Sequence, residues 1–224
     1  MSPLASAYLF LLGLASGVAL LAISAYRRVS PAWLKWLLIA TGVFVISRYV
    51  TLAVYSLPDA PQRFWWLGRS WYATSVGLTL PSVMAMDQLV RHPAMSPKKL
   101  LAWFSPFLAV YGAIILFATP KIQEHVEPWS PALSRGWGLL LSVTQAAFVA
   151  GFIGIGLMLM RKLPSRPIRR ALLGLILGHA YLGFDGLVLA MGRWYFRPFL
   201  YSELLTLLAI WYAYETSASL QQNA

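Results

Sequence analysis

The chain has 224 residues, of which 59% are hydrophobic and 11% charged, with a mean hydropathy of +0.65 and no cysteine. Soluble domains carry about a quarter of their residues as charges, so an ordinary soluble domain is excluded, as are disulfides, thiolate metal sites and cysteine nucleophiles. The net charge of +11 is divided among short segments between apolar runs, a pattern that points to membrane orientation and away from nucleic acid, which needs a solvated basic face.

A bilayer span takes roughly 20 apolar residues. In chain order, the apolar runs predict spans at Ala5 to Tyr26, Trp33 to Ser56, Trp65 to Val90, Leu100 to Thr119, Gly136 to Met160, Ala171 to Met191 and Pro198 to Tyr214. The expected fold is therefore all-α: one domain over 1–224, a polytopic bundle of seven transmembrane helices with no separate soluble domain. The first run reads as a retained helix rather than a secretory signal. No basic residue precedes it, it is long, and Arg27 and Arg28 follow it.

Positive charge alternates from loop to loop. The first, third and fifth loops carry Arg27, Arg28 and Lys35, then Arg91, Lys98 and Lys99, then Arg161, Lys162, Arg166, Arg169 and Arg170. The second, fourth and sixth hold Arg63, Arg69, Lys121, Arg135, Arg193 and Arg197, partly offset by Asp59, Glu124 and Glu127. By the positive-inside rule the N-terminus is expected outside and the C-terminus in the cytoplasm. Trp65, Trp66, Trp71, Trp129, Trp137, Trp194 and Tyr195 fall at the outer ends on this reading, where amphipathic rings meet the headgroups. The loop from Pro120 to Arg135 is either a lid over the helix ends or an interfacial connection. Gly13 and Gly17, Gly174 and Gly178, and the run of Gly151, Gly154 and Gly156 have the spacing that lets helices approach closely.

Ionisable groups at membrane depth cost about 2.5–3.5 kcal/mol on insertion scales, so each needs a partner or a function. Arg48, His179, Asp185 and Glu203 are the candidates. At 1.5 Å per residue, Arg48 lies roughly 17 Å and Asp185 roughly 20 Å from the cytoplasmic ends of their spans, while Glu203 sits about 6 Å below the outer end of the last span. Gln145 is similarly shallow on the fifth. Helical spacing places Thr41, Arg48, Thr51 and Tyr55 on one face, Tyr72, Ser75, Thr79 and Ser82 on another, and Glu203, Thr206 and Tyr214 on a third. The expectation is a ligand-binding cavity in the outer half, lined by Arg48, Tyr72, Gln145, Asp185 and Glu203. The competing reading is a structural ion pair of Arg48 with Asp185 or Glu203, and either way two acids facing one arginine leave a surplus carboxylate. His179 reads first as a hydrogen-bonded interior histidine, with a ligand role as the alternative. Asp87, four residues before Arg91, reads as a local interfacial pair.

Several chemistries lack their residues. All five lysines fall in loops or at span ends, so a retinal Schiff base has no partner in the membrane. A single intramembrane histidine does not hold a haem or a di-iron centre, and no GxSxG, P-loop or HExxH pattern occurs. No cofactor and no metal are expected.

The segments WYATSVGLTLPSVMAMDQLVRHP, Trp71 to Pro93, and RKLPSRPIRRALLGLILGH, Arg161 to His179, resemble a third span with its basic inner turn and the arginine-rich turn between the fifth and sixth helices in the N-terminal seven-helix sensor regions of bacterial histidine kinases. The resemblance implies a sensor-like bundle in a bacterial cytoplasmic membrane. In those proteins the last helix runs into a kinase or cyclase, whereas this chain ends about ten residues after Tyr214, so the output module is expected to be absent or supplied by a partner. The favoured expectation is a receptor-like protein that binds a small or lipid-like ligand and signals to a protein partner at the basic cytoplasmic loops, with membrane lipids around it. Two others stay open: an accessory subunit of a larger membrane complex, and an intramembrane acid/base enzyme acting on an isoprenoid or lipid.

Overall fold

The computed structural model describes residues 3–56, 64–90, 96–119, 121–123, 130–163, 165–190 and 199–222. Helices α1 (Pro3–Tyr26) and α2 (Ala32–Tyr55) are followed by a 3-10 segment (Trp65–Tyr72) that runs into α3 (Ala73–Val90) and then by α4 (Pro97–Phe117). A short antiparallel ribbon pairs β1 (Lys121–Gln123) with β2 (Ser130–Ala132), and α5 (Arg135–Met160), α6 (Arg166–Ala190) and α7 (Leu200–Gln222) complete the order.

Local chemistry explains the helix ends. Ser96 caps α4 by accepting from Lys99 N at 3.3 Å, with Pro97 at the first helical position, where its missing N–H costs nothing. The helix therefore starts three residues before the expected Leu100. Similarly, α6 starts at Arg166, five residues before the expected Ala171, so Arg166, Arg169 and Arg170 stand on its first turns instead of in a loop. The expected third span is two elements, because its first turn is pinned to α2: Tyr55 Oη donates to Phe64 O at 3.2 Å and Thr51 Oγ1 to Leu67 O at 3.5 Å. Helix α7 continues eight residues past the expected Tyr214, with Thr216 and Ser217 buried. Hydropathy falls at that point, but packing does not. The expected lid carries the β ribbon, and its residues 124–129 lie outside the described residues, as does Arg91, the partner assigned to Asp87.

Five helices are long and apolar enough to cross a membrane: α1 over Ser6–Tyr26, α2, α4, α5, and α6 over Arg166–Val188. Helices α3 and α7, also expected as spans, are less apolar because their inward faces carry Thr74, Ser75, Thr79 and Ser82, and Ser202, Glu203, Thr206, Thr216 and Ser217, all buried. These two are the inner helices. α7 packs on α1, α3 and α6, α2 packs on α1 and α3, and α4 and α5 stand at the periphery. In their most apolar stretches α4 and α5 bury 17% and 22% of residues, against 44% for α2. Large apolar side chains such as Phe10, Trp103, Leu139 and Met158 face outward. A helical bundle of this kind, apolar on its outside and polar within, has the surface that a bilayer solvates.

The glycines expected to bring helices together divide into two groups. A Cβ on Gly178 would lie 2.8 Å from Thr206 Oγ1 and 3.0 Å from its Cα, and one on Gly156 would lie 2.9 Å from Ile176, so α7 on α6 and α6 on α5 do use them. Gly13, Gly17, Gly151 and Gly154 face no atom within 4 Å, because they fall on the outward sides of α1 and α5. The tightest approach is at Gly77, where a Cβ would meet Val45 and come within 2.9 Å of the Thr41 carbonyl oxygen. Backbone does not yield as a side-chain tip does. Gly77→Ala is therefore expected to destabilise the bundle by about 1–3 kcal/mol while Gly17→Ala leaves it unchanged or slightly firmer, checked by melting both variants in the same detergent.

Candidate functional site

The candidate site is built where α2, α3 and α7 meet. Arg48 projects from α2 and is 7% exposed; its Nη2 lies 2.9 Å from Glu203 Oε1 on α7, a residue that is 2% exposed. Its Nη1 donates to Thr74 Oγ1 on α3 at 3.2 Å. One guanidinium thus ties three helices, a task that suits a planar fork of five donors. Glu203 lies in the first turn of α7, where the helix macrodipole favours a negative charge. The hydroxyls of Tyr49 and Thr74 stand beside its carboxylate. Tyr49 Oη and Glu203 Oε2 are both fully buried; the hydroxyl faces the carboxylate, but neither atom completes a full hydrogen bond among the described residues.

Asp185 is placed differently from Arg48's other expected partner. It is fully buried on α6, and its Oδ2 accepts from Phe199 N at 2.7 Å and from Ser202 Oγ at 2.5 Å. It caps the N-terminus of α7 from the neighbouring helix, satisfying a backbone donor that the first turn leaves without an intrahelical partner. Phe199 has φ 71°, a left-handed conformation that costs a non-glycine residue about 1–3 kcal/mol, and the Asp185 carboxylate holds it there. The two acids therefore divide the work: Glu203 takes the guanidinium and Asp185 takes the helix end. The surplus carboxylate foreseen from the sequence is occupied.

Gln145 on α5 donates from Nε2 to Ser75 Oγ at 3.0 Å, one residue along α3 from the Arg48 partner Thr74. The Thr79 hydroxyl in turn donates to the Ser75 carbonyl. Tyr72, half-buried at the end of the 3-10 segment, stands within electrostatic reach of Arg48. Arg48, Glu203, Gln145 and Tyr72 are thus gathered around the start of α3, and Asp185 adjoins them through the first turn of α7. His179 is elsewhere. It is 1% exposed, with its ring 4.5 Å from that of Phe152 and 5.3 Å from that of Phe148, and its Nε2 makes no hydrogen bond among the described residues. His179 is thus interior, as expected, with its Nε2 set against the aromatic α5–α6 contact at that level.

Many hydroxyls on the inward stripes are satisfied locally and line nothing. Thr41 donates to Leu38 O at 2.7 Å, Thr206 to Ser202 O at 2.7 Å, and Tyr214 across to Pro81 O at 3.1 Å. Sequence spacing missed Thr74, Tyr49 and Ser202. Tyr49 is off the Arg48 face by one residue's rotation, and Thr74 lies beside the stripe rather than on it. Ser202 next to Glu203 at a helix start was a legible capping signal. Among the described residues no three His, Asp or Glu side chains gather closely enough to hold a metal ion.

No family model, curated protein or solved structure matches the chain, so the chemistry of the site rests on its residues.

The geometry separates the two acids energetically. Arg48→Leu strands the buried Glu203 carboxylate and is expected to cost about 3–5 kcal/mol, while Arg48→Leu with Glu203→Gln recovers most of that loss. Asp185→Ala removes the cap and the Ser202 bond and is expected to cost about 1–2 kcal/mol. Thermal melts of the four proteins in one detergent check this; a double variant no better than Arg48→Leu would show that the pair is not the source of the loss.

Proposed function

We propose that this chain is a receptor-like or sensor-like membrane protein whose ligand, small or lipid-like with a polar head, engages the Arg48–Glu203 layer and moves α7. The observation that carries the reading is a buried donor and acceptor, Tyr49 Oη and Glu203 Oε2, that face each other without closing a full hydrogen bond, beside an ion pair that joins α2 to α7. A ligand group that donates to Glu203 competes with Arg48 and loosens the end of α7 that is held by a buried ion pair. The other end of the helix is Gln222, roughly 28 Å away at 1.5 Å per residue, so a tilt at Glu203 is delivered to the opposite end of the bundle. The resemblance to the sensor regions of histidine kinases supports the same reading, with a protein partner at the basic loops receiving the signal.

In this proposal all seven helices cross a bacterial cytoplasmic membrane, N-terminus outside and C-terminus inside. The two less apolar helices, α3 and α7, are tolerated because their polar faces are turned into protein. A second reading, an accessory subunit of a larger complex, draws on the low burial of α4 and α5 and makes the ion pair structural. The acid/base enzyme is the weakest, since Glu203 is held by Arg48 and Asp185 by the start of α7.

Two measurements test the proposal. Native mass spectrometry of the gently extracted protein is expected to show a stoichiometric small molecule or lipid that is reduced in Tyr49→Phe and absent in Glu203→Gln. A retained protein chain with no small molecule would replace the receptor reading with the accessory one. Because the chain has no cysteine, single cysteines report topology cleanly: Lys99→Cys should react with an impermeant maleimide only from the cytoplasmic side and Gln123→Cys only from the outside.

A further inference from the structure

At the end of the bundle where α1 and α3 terminate, a cleft opens between these two helices and α7. Arg28, Gln88 and Ser217 supply its polar wall, and Ala25, Val29 and Ala218 its apolar one. Its interior has a volume of about 10 Å³, room for roughly one water, and its mouth is open to the surroundings on one side. Ser217 is 3% exposed and lines this cleft, yet its Oγ makes no hydrogen bond among the described residues. A buried hydroxyl left in that state costs about 1–3 kcal/mol, which an occupant of the cleft would relieve. Arg28 commits Nη1 to Glu215 at 2.6 Å and is otherwise exposed at 57%, so further donors of its guanidinium remain for a second acceptor. The polar wall is thus made of donors: a hydroxyl, a carboxamide and a guanidinium.

The position narrows the occupant. Arg28 lies two residues beyond the membrane-length segment Ser6–Tyr26, with Arg27 beside it. That is the level at which lipid phosphates lie in a bilayer. A group with several acceptor oxygens and negative charge at the mouth satisfies Arg28 and Gln88 directly and Ser217 through a bridging water, and basic residues at this level attract anionic lipids. We propose that the mouth of this cleft binds a phosphate group, that of an anionic phospholipid in the leaflet at this end of the bundle, through Arg28 and the Gln88 carboxamide, with Ser217 Oγ reached through a water held in the cleft. Glu215 competes with the phosphate for Arg28. The site goes beyond the Arg48–Glu203 layer and shares no residue with it, so it stands whether or not that layer binds a ligand.

The test uses the full chain in a maltoside detergent, titrated with phosphatidylglycerol, with an uncharged glycolipid of the same acyl chains, and separately with inorganic phosphate, read by native mass spectrometry and by melting. Phosphatidylglycerol is expected to be retained and to raise the melting temperature, and the glycolipid to do neither. Arg28→Gln should weaken retention about tenfold, through loss of a charge-assisted bond, and Ser217→Ala about threefold. Glu215→Gln breaks the same ion pair as Arg28→Gln but should strengthen retention, because it frees the guanidinium. That opposite sign separates a binding site from a latch that merely holds the fold. Stabilisation by inorganic phosphate, lost in Ser217→Ala, without retention of phosphatidylglycerol would assign the site to a soluble phosphate compound. Equal retention of both lipids with no response to phosphate, equal behaviour of all variants, or weakening by Glu215→Gln as by Arg28→Gln would overturn the proposal.

Discussion

The bundle depends on the burial of one guanidinium and one carboxylate between α2 and α7. Two charges withdrawn from water carry a desolvation penalty of several kcal/mol each, recovered only when their geometry is good and their remaining hydrogen-bonding capacity is met. Arg48 meets the first condition by spanning Glu203 and Thr74, at 2.9 Å and 3.2 Å, while the second oxygen of Glu203 is left without a full hydrogen bond among the described residues. The pair also selects the arrangement. In an apolar medium, helices slide over one another at little cost, because lipid is as apolar as leucine. A polar contact with one acceptable register removes that freedom. It fixes α7 at the centre of the fold, with α3 packed against it and α2 joined to it through the guanidinium.

Other polar contacts build outward from this layer. The cap that Asp185 gives to Phe199 and Ser202 fixes the level at which α7 begins, and hence the height of Glu203. Gln145 reaches α3 one residue from Thr74 and draws the peripheral α5 toward the same layer. Close backbone approach at Gly77 and Gly178 does the rest, letting α3 seat against α2 and α6 against α7. At the far end the edge-to-face contact of Tyr26 with Tyr214, 5.1 Å between centroids, and the Tyr214 bond to Pro81 O hold α1, α3 and α7 together. The two ends of α7 are therefore built differently: one on a buried ion pair with an unclosed hydrogen bond beside it, the other on tyrosines and a half-open polar cleft.

Much of the fold was legible from periodicity. Apolar runs of the right length located the seven α-helices of the described residues, and position at membrane depth singled out Arg48, Gln145, Asp185 and Glu203, each of which makes a polar contact between helices. The errors fell where hydropathy is a poor guide. It ended α7 at Tyr214, although the helix continues through Thr216 and Ser217, which are buried by neighbours. It also merged the 3-10 segment with α3, because nothing in Trp65–Tyr72 signals the bonds from Thr51 and Tyr55 that shape it. Gly13 and Gly17 had the spacing of a helix contact but turn outward. Small residues permit an approach; they do not say which side of a helix a neighbour occupies.

The amino-acid sequence by itself determined that the chain is helical, apolar outside and polar at a few internal positions, because length, hydropathy and period are properties of each segment alone. Which acid meets Arg48 was decided only by the tertiary structure. Asp185 and Glu203 are equivalent in charge and similar in depth, and their separation into helix cap and ion pair depends on how α6 and α7 pack, which sets the distance from each carboxylate to a guanidinium on another helix. The cleft at Arg28, Gln88 and Ser217 was likewise invisible in the sequence. Its three donors are far apart along the chain, and they share a wall only because three helices end or pass at the same level.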